Sequence, residues 1–282
     1  MLERDVYHPP TLAYRLDGAI IADGCLYTQR TFAPLSITPR RILLGKPAEH
    51  AEGLLCSDIC STRYFGDWLM TGLPLELLAE DRGANPIVLD GGKWPNEEDY
   101  RKRLKLAKPP APTSPARFQT LWMIDDKPMN DGRVARYERL RARARTGQVG
   151  EDGLVYLERG TLGVERGLIG EEKLKEALVA RGFRIVRPET ASVAELAEAL
   201  GKARICVGVE GSALTHATML MPQGGAIVAI QPPMRFANAI KFFADAVGIR
   251  FGFVVGEQAG EGFSVPVERL RATLDLVDAA IG

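Results

Sequence analysis

A glycine-bracketed loop carries the residues of this chain best suited to chemistry. Gly208, Glu210 and Gly211 are followed directly by Ser212 and, four residues further on, by His216. Backbone N–H groups at a turn that opens a helix attract an anion such as a diphosphate, and a carboxylate there could bind hydroxyls or transfer a proton. Plainer roles also fit: a tight turn for the glycines, a loop charge for Glu210 and a packed ring for His216.

Two arginines follow an apolar segment upstream of this loop. Arg159 ends the segment VYLE, and Arg166 lies in the glycine-rich stretch that comes next. Guanidinium groups at this position could neutralise a diphosphate, or they could be solvated surface charges.

The first half of the chain offers one carboxylate of interest and one basic segment. Asp67 stands just before the segment LMTGLPLELLAE, where it could cap a helix or present a carboxylate as a catalytic base. The segment 131–145 holds six arginines and one glutamate. This segment predicts a helix. Its arginines, Arg133–Arg145, could form a solvated face, or they could contact anionic lipid or a polyanionic substrate.

The elements that must position these residues are clearest after residue 154. Short apolar segments alternate with helical patterns, which predicts βαβ units and a parallel sheet. Ser192 and Glu195 have the spacing of a capping box. The predicted strands are 155–158, 183–186, 204–209, 226–230 and 250–255, and the predicted helices are 171–181, 192–200, 212–221, 236–247 and 267–281.

The first half is predicted to be α/β with antiparallel content at its start. Residues 18–27 predict a hairpin around Asp23 and Gly24, and 108–115 predict an extended, proline-rich connector. Further predictions are strands at 40–45 and 86–90 and a helix at 68–80 that Pro74 interrupts.

Composition excludes several classes of protein. Acidic and basic residues balance at 36 each, so the chain lacks the basic character of a nucleic-acid binder. The four cysteines form no C-x-x-C pair, which indicates a reducing compartment. With no apolar segment long enough to span a membrane, we expect a cytoplasmic protein that could still lie on the inner face of the membrane.

Familiar catalytic signatures are missing. There is no P-loop, no G-x-G-x-x-G after a strand and no G-x-S-x-G elbow, which disfavours NTPases, NAD enzymes and α/β-hydrolases. There is also no D-x-D of the kind that holds a divalent metal beside a nucleotide.

From about residue 61 to residue 232 the chain resembles glycosyltransferase family 61, in its bacterial branch. Glu210 and Asp67 stand where that family has histidines, so roles assigned to those histidines do not transfer unchanged. In chain order the resembling segments are Gly66–Trp68, Leu73–Pro74, Tyr156–Arg159, Arg166, Gly170–Glu172, Arg181–Phe183, Ser192–Ala203, Gly208–His216 and Met219–Gly224.

The resemblance implies a GT-B-like fold, two Rossmann-like domains facing across a cleft. We expect an acceptor-side domain at 1–147, a nucleotide-sugar domain at 148–264, and a helix at 265–282 that packs back on the first domain. The implied reaction moves a sugar from a nucleotide donor to a glycan or glycolipid acceptor of the capsule or lipopolysaccharide type. It would be inverting and need neither a metal nor a cofactor, because positive side chains and a helix N-terminus stabilise the leaving diphosphate.

Within that scheme Asp67 is the first choice for the base and Glu210 the second. Donor binding is assigned to Arg159, Arg166, Gly208, Gly211, Ser212 and His216. The alternatives are a non-catalytic nucleotide- or glycan-binding subunit and another Rossmann-type transferase, such as a methyltransferase.

Overall fold

The computed structural model describes residues 7–36, 45–89, 94–110, 112, 114–145, 152–160 and 167–282. The chain forms two compact units. The first comprises Met1–Glu97 and Lys105–Arg139, and the second comprises Glu98–Leu104 and Leu140–Gly282. The predicted boundary after residue 147 lies outside the described residues.

A six-stranded mixed sheet forms the centre of the first unit, in the order β3-β2-β1-β6-β4-β5. Only β4, β5 and β6 run parallel to one another, while β1 pairs antiparallel with both β2 and β6. The α/β prediction is confirmed, but this sheet lacks the all-parallel order expected of a Rossmann-like domain. The strands are β1 Leu12–Ala22, β2 Cys25–Tyr27, β3 Phe32–Pro34, β4 Ala48–Leu55, β5 Pro86–Ile87 and β6 Ala116–Asp125.

The predicted hairpin is confirmed at the junction of β1 and β2. Asp23 and Gly24 have φ angles of 49° and 74°, the left-handed pair that a tight two-residue hairpin turn requires. The prediction for 86–90 is confirmed only at Pro86–Ile87, and residues 40–44 of the other predicted strand lie outside the described residues.

The helices of the first unit begin after β4. A π-helical turn, Trp68–Gly72, joins two helices into one continuous segment, and Pro74 is the second residue of the second helix. The helices are α1 Phe65–Asp67, α2 Leu73–Asp81, α3 Glu97–Leu104 and α4 Asp131–Ala144. Most of α3 and the end of α4 belong to the second unit.

The second unit contains a five-stranded sheet in which every strand pair is parallel, as predicted. The order β8-β7-β9-β10-β11 is that of a flavodoxin-like doubly wound sheet. Its strands are β7 Gly153–Leu157, β8 Arg184–Val186, β9 Ala203–Val209, β10 Ala226–Gln231 and β11 Arg250–Val255, and a separate hairpin pairs β12 Glu257–Ala259 with β13 Gly262–Ser264.

Helices follow these strands as the alternation predicts. The capping box is present, with Ser192 and Glu195 each bonded to the other's backbone N–H. The last helix, Val267–Ile281, packs on β10, on β11 and on the helix Glu171–Ala180, so its apolar face is buried inside the second unit. The helices are α5 Glu171–Ala180, α6 Val193–Leu200, α7 Thr215–Leu220, α8 Ala239–Ala246 and α9 Val267–Ile281.

Candidate functional site

The strand order of the second unit reverses between β7 and β9, and open α/β sheets bind ligands at the carboxyl ends of the strands beside such a point. Arg159 lies two residues after β7, and Glu210 is the first residue after β9. The Nη1 atom of Arg159 donates a hydrogen bond to the backbone carbonyl of Glu210 at 3.3 Å. Two residues predicted from separate parts of the sequence therefore meet at the reversal of the sheet.

The guanidinium of Arg159 is half-buried among several charges. Loss of solvent lowers its pKa, and nearby Arg235 acts in the same direction, whereas Glu210, Glu189 and Glu171 raise it. An arginine keeps its charge at any ordinary pH. The group is thus a partly desolvated cation, which binds an anion more strongly than a fully hydrated one does.

A second set of charges fixes the end of β7. Glu158 is buried and accepts hydrogen bonds from Lys175 Nζ at 2.6 Å and from Arg187 Nε at 2.9 Å. The bonds from Arg187 and Lys175 hold the pKa of Glu158 below its ordinary value, despite the opposing effect of burial. This network ties the residue before Arg159 to α5 and to the loop after β8, and sequence patterns did not single it out.

The turn after β9 depends on Gly211. Its φ of 144° and ψ of −174° lie in a region that only glycine enters without strain. The predicted helix 212–221 divides here into a 3₁₀ turn, Ser212–Leu214, and the six-residue α7. Ser212 therefore lies beside Glu210 at the start of the turn, as predicted, but the helix behind it is short.

Gly208 lies inside β9 rather than in the loop. A Cβ at this position would come within 2.9 Å of Leu214 Cδ2 and 3.3 Å of the Leu157 carbonyl oxygen. Its missing side chain lets the turn fold back onto the sheet. Gly208 thus contacts protein where a donor contact was expected.

His216 is buried within the second unit. Its Nδ1 atom lies 2.7 Å from the hydroxyl of Tyr100, and the imidazole ring stacks on the Tyr100 ring. Burial lowers the pKa of His216 to about 3, so the ring is neutral at physiological pH. The structure thus places His216 as a packed residue that joins α7 to α3, and its contact with donor phosphate or sugar stays a prediction.

Asp67 lies in the first unit, immediately before the π-helical turn. Tyr64 is the N-cap residue of α1. Asp67 has helical backbone angles, and its side chain makes no cap hydrogen bond to the turn that follows it. Loss of solvent and the nearby Asp58 raise the pKa of this half-buried carboxyl, while Arg133 lowers it. A carboxyl group with a raised pKa is a better proton acceptor than an ordinary surface aspartate.

The arginine-rich helix α4 donates mainly to protein groups. Arg133 is buried and donates to the carbonyl of Met70 at 3.1 Å, the group whose usual helical donor would be the N–H that Pro74 lacks. Arg136 pairs with Asp126 at 2.6 Å, and Arg139 pairs with Asp81.

Arg141 is fully buried and donates to the carbonyls of Thr218 and Met221 at the end of α7. Together these bonds involve four of the six arginines of the segment, and its contact with a membrane stays a prediction.

Two further observations concern the described residues only. They contain no group of three or more His, Cys, Asp or Glu side chains arranged to hold a metal ion. None of the described helices combines the length and the apolarity needed to span a bilayer. Arg166, predicted to bind the diphosphate with Arg159, lies outside the described residues.

A family model described as Glycosyltransferase 61 matches residues 28–228, well over half of the chain. The chain belongs to glycosyltransferase family 61. No curated protein matches it significantly. The match begins just after β2 in the first unit and ends within β10 of the second, so it includes Asp67, Arg159 and Glu210. This family 61 protein is therefore a glycosyltransferase, as the resemblance of its sequence indicated.

Proposed function

We propose that this enzyme transfers a sugar from a nucleotide-sugar donor to a glycan or glycolipid acceptor, with Arg159 binding the donor diphosphate. The observation that carries the proposal is the contact between Arg159 and Glu210 at the reversal of the parallel sheet. Arg235 brings a second positive charge near Arg159. Two cations beside a glycine turn suit a diphosphate, which carries concentrated negative charge.

The reaction we propose is a single inverting displacement. The acceptor hydroxyl oxygen forms a bond to the anomeric carbon of the donor sugar while the bond from that carbon to the diphosphate oxygen breaks. The hydroxyl proton passes to a carboxylate, and the leaving diphosphate keeps the bonding electron pair. Arg159 stabilises the charge that develops on the leaving group, the task that a metal ion performs in metal-dependent transferases.

Asp67 is our first choice for the base because burial and Asp58 raise its pKa, which favours proton transfer from a hydroxyl. Glu210 is the second choice. It is buried, and its backbone N–H and carbonyl both bond to other protein groups, which fixes its position.

Four finer proposals follow from the same interpretation. The two units correspond to the two domains of a GT-B architecture. The activity requires no metal and serves capsule or lipopolysaccharide synthesis. The protein works in the cytoplasm, on the inner face of the membrane.

The test is incubation of the purified protein with a panel of nucleotide sugars, with and without EDTA, followed by detection of released nucleoside diphosphate. We expect slow hydrolysis of one donor, unaffected by EDTA, and faster release when a suitable acceptor is added. Binding without any release would contradict transfer, and loss of release in EDTA would contradict metal independence.

The base is tested with Asp67→Asn and Glu210→Gln on the same donor. We expect Asp67→Asn to lower kcat at least a hundredfold with little change in donor affinity, because general base catalysis is worth 10²–10⁴-fold. Wild-type turnover in Asp67→Asn together with a dead Glu210→Gln would transfer the role to Glu210.

A further inference from the structure

The loop after β10 exposes apolar and cationic side chains in sequence. Residues 232–238 connect β10 to α8, and within them Met234 is 82% exposed and Phe236 is 51% exposed, on either side of the exposed Arg235. Phe253 of β11 is also 47% exposed and packs edge to face on Phe236, with ring centroids 5.0 Å apart. Exposed apolar side chains that form a contiguous patch often mark a binding surface, whereas single scattered ones do not.

Gln231 holds this loop in place. Its side chain is fully buried at the end of β10, where Nε2 donates to the carbonyl of Ala237 at 2.6 Å and Oε1 accepts from the N–H of Ala237 at 3.3 Å. The backbone N–H of Arg235 donates to the carbonyl of Pro232 at 3.3 Å, closing a turn inside the loop. Phe236 is therefore presented on a braced loop, which reduces the entropy lost when a ligand binds.

The loop lies next to the Arg159–Glu210 pair. The N–H of Glu210 donates to the carbonyl of Ile230 at 2.9 Å, so the residue that starts the candidate site is level with the end of β10. Three strand spacings, roughly 14 Å, separate β7 from β11, the strand on which Phe236 packs. A nucleoside diphosphate in an extended conformation has a length of this order. Arg235 is near enough to Arg159 to affect its pKa.

We propose that Phe236 stacks on the nucleobase of the donor and that Arg235 contacts its phosphates. This inference rests on the proposed function and adds to it the subsite that recognises the nucleoside. Bases stack on aromatic side chains whatever their identity, because each base has a π face. Arg235 directly precedes that ring in the chain and lies near Arg159, so its charge suits the diphosphate that joins nucleoside and sugar in a nucleotide sugar.

The test compares binding of two probes by titration calorimetry: inorganic pyrophosphate, and whichever of UDP, GDP and CDP the wild-type protein binds most tightly. Phe236→Ala should weaken binding of the nucleoside diphosphate at least fivefold and leave binding of pyrophosphate unchanged. Phe236→Trp should retain wild-type affinity for both probes. Arg235→Gln should weaken both probes.

The matched control is Phe242→Ala, since Phe242 is 54% exposed on α8, outside the loop. We expect it to leave both affinities unchanged. Nucleoside diphosphate affinity within twofold of wild type in Phe236→Ala would overturn the subsite alone, as would an equal loss of pyrophosphate binding. Failure of the wild-type protein to bind any nucleoside diphosphate would overturn the proposed function as well.

Discussion

Acidification should destabilise the second unit through a single histidine. His216 is buried against Tyr100, and its pKa in the folded protein is about 3, against about 6.5 in an unfolded chain. Between these two values the unfolded chain takes up a proton at this position and the folded protein does not. Because the folded pKa is the lower of the two, the free energy of unfolding falls as the pH decreases through 6.5.

The size of the effect follows from the two pKa values. At pH 5.0 the loss attributable to His216 is about 2 kcal/mol relative to pH 7.5. Carboxyl groups elsewhere in the protein also titrate below pH 5. The quantity to compare is therefore the loss in free energy of unfolding in the wild-type protein against that in His216→Gln, which cannot take up the proton.

The assay must report on the correct unit. All three tryptophans, Trp68, Trp94 and Trp122, lie in the first unit, so their fluorescence follows that unit and serves as an internal control. Hydrogen exchange of peptides from β9 and α7, corrected for the intrinsic effect of pH, follows the second unit. Between pH 7.5 and pH 5.0 the wild-type protein should lose about 2 kcal/mol more protection in these peptides than His216→Gln does.

Tyr100→Phe separates the hydrogen bond from the titration. It removes the partner of Nδ1 and should cost about 1 kcal/mol at pH 7.5 while the dependence on pH remains. An equal loss of protection in wild type and His216→Gln between pH 7.5 and pH 5.0 would refute the reasoning, because it would mean that this histidine is not held neutral by burial.

Three further predictions concern other residues of the account. Arg141→Met should lower the free energy of unfolding, measured in urea, by about 3 kcal/mol, because it leaves two buried carbonyls at the end of α7 without their donor. The control Arg139→Met removes an exposed ion pair and should cost no more than about 1 kcal/mol. Equal losses in the two variants would contradict the assignment. Gly211→Ala should lower the free energy of unfolding by about 1–3 kcal/mol, since alanine is strained at the φ and ψ observed. Titration calorimetry should also show weaker donor binding. If the free energy of unfolding and the donor affinity are both unchanged, the turn tolerates a side chain. Wild-type kcat should fall as the pH decreases through the raised pKa of Asp67. Asp58→Asn removes a like charge and should therefore move this fall to lower pH. If the dependence of kcat on pH does not move in Asp58→Asn, Asp67 is not the titrating base.

Local patterns were sufficient to predict most of the second unit. Each strand there is a short apolar segment bounded by glycine, proline or a cap, so periodicity and the Ser192–Glu195 box identified its elements with small errors at their ends. The hairpin at Asp23 and Gly24 was predictable for the same reason, because two adjacent residues determine that turn.

Long-range pairing explains what the sequence did not reveal. Strand β6 lies between β1 and β4. Its partners are 68 positions earlier in β4 (Ala48 with Ala116) and up to 113 positions earlier in β1 (Leu12 with Asp125), a relation that no local pattern encodes. The inward orientation of His216 depends likewise on Tyr100, and the role of Gly208 depends on Leu214 folding back onto β9. Arg235 could have been found earlier, because it follows a predicted strand at the same edge of the sheet as Arg159 and Glu210.

Binding of a nucleoside diphosphate to an Arg159→Met variant tests the central claim most directly. Arg250→Met is the matched control, since Arg250 is an exposed arginine at the opposite, amino-terminal end of a strand in the same sheet. We expect Arg159→Met to weaken binding at least tenfold, because a hydrogen bond to a charged group is worth about 1.5–3 kcal/mol. We expect Arg250→Met to stay within twofold of wild type. Wild-type affinity in Arg159→Met would contradict the assignment of the donor diphosphate to this corner of the sheet.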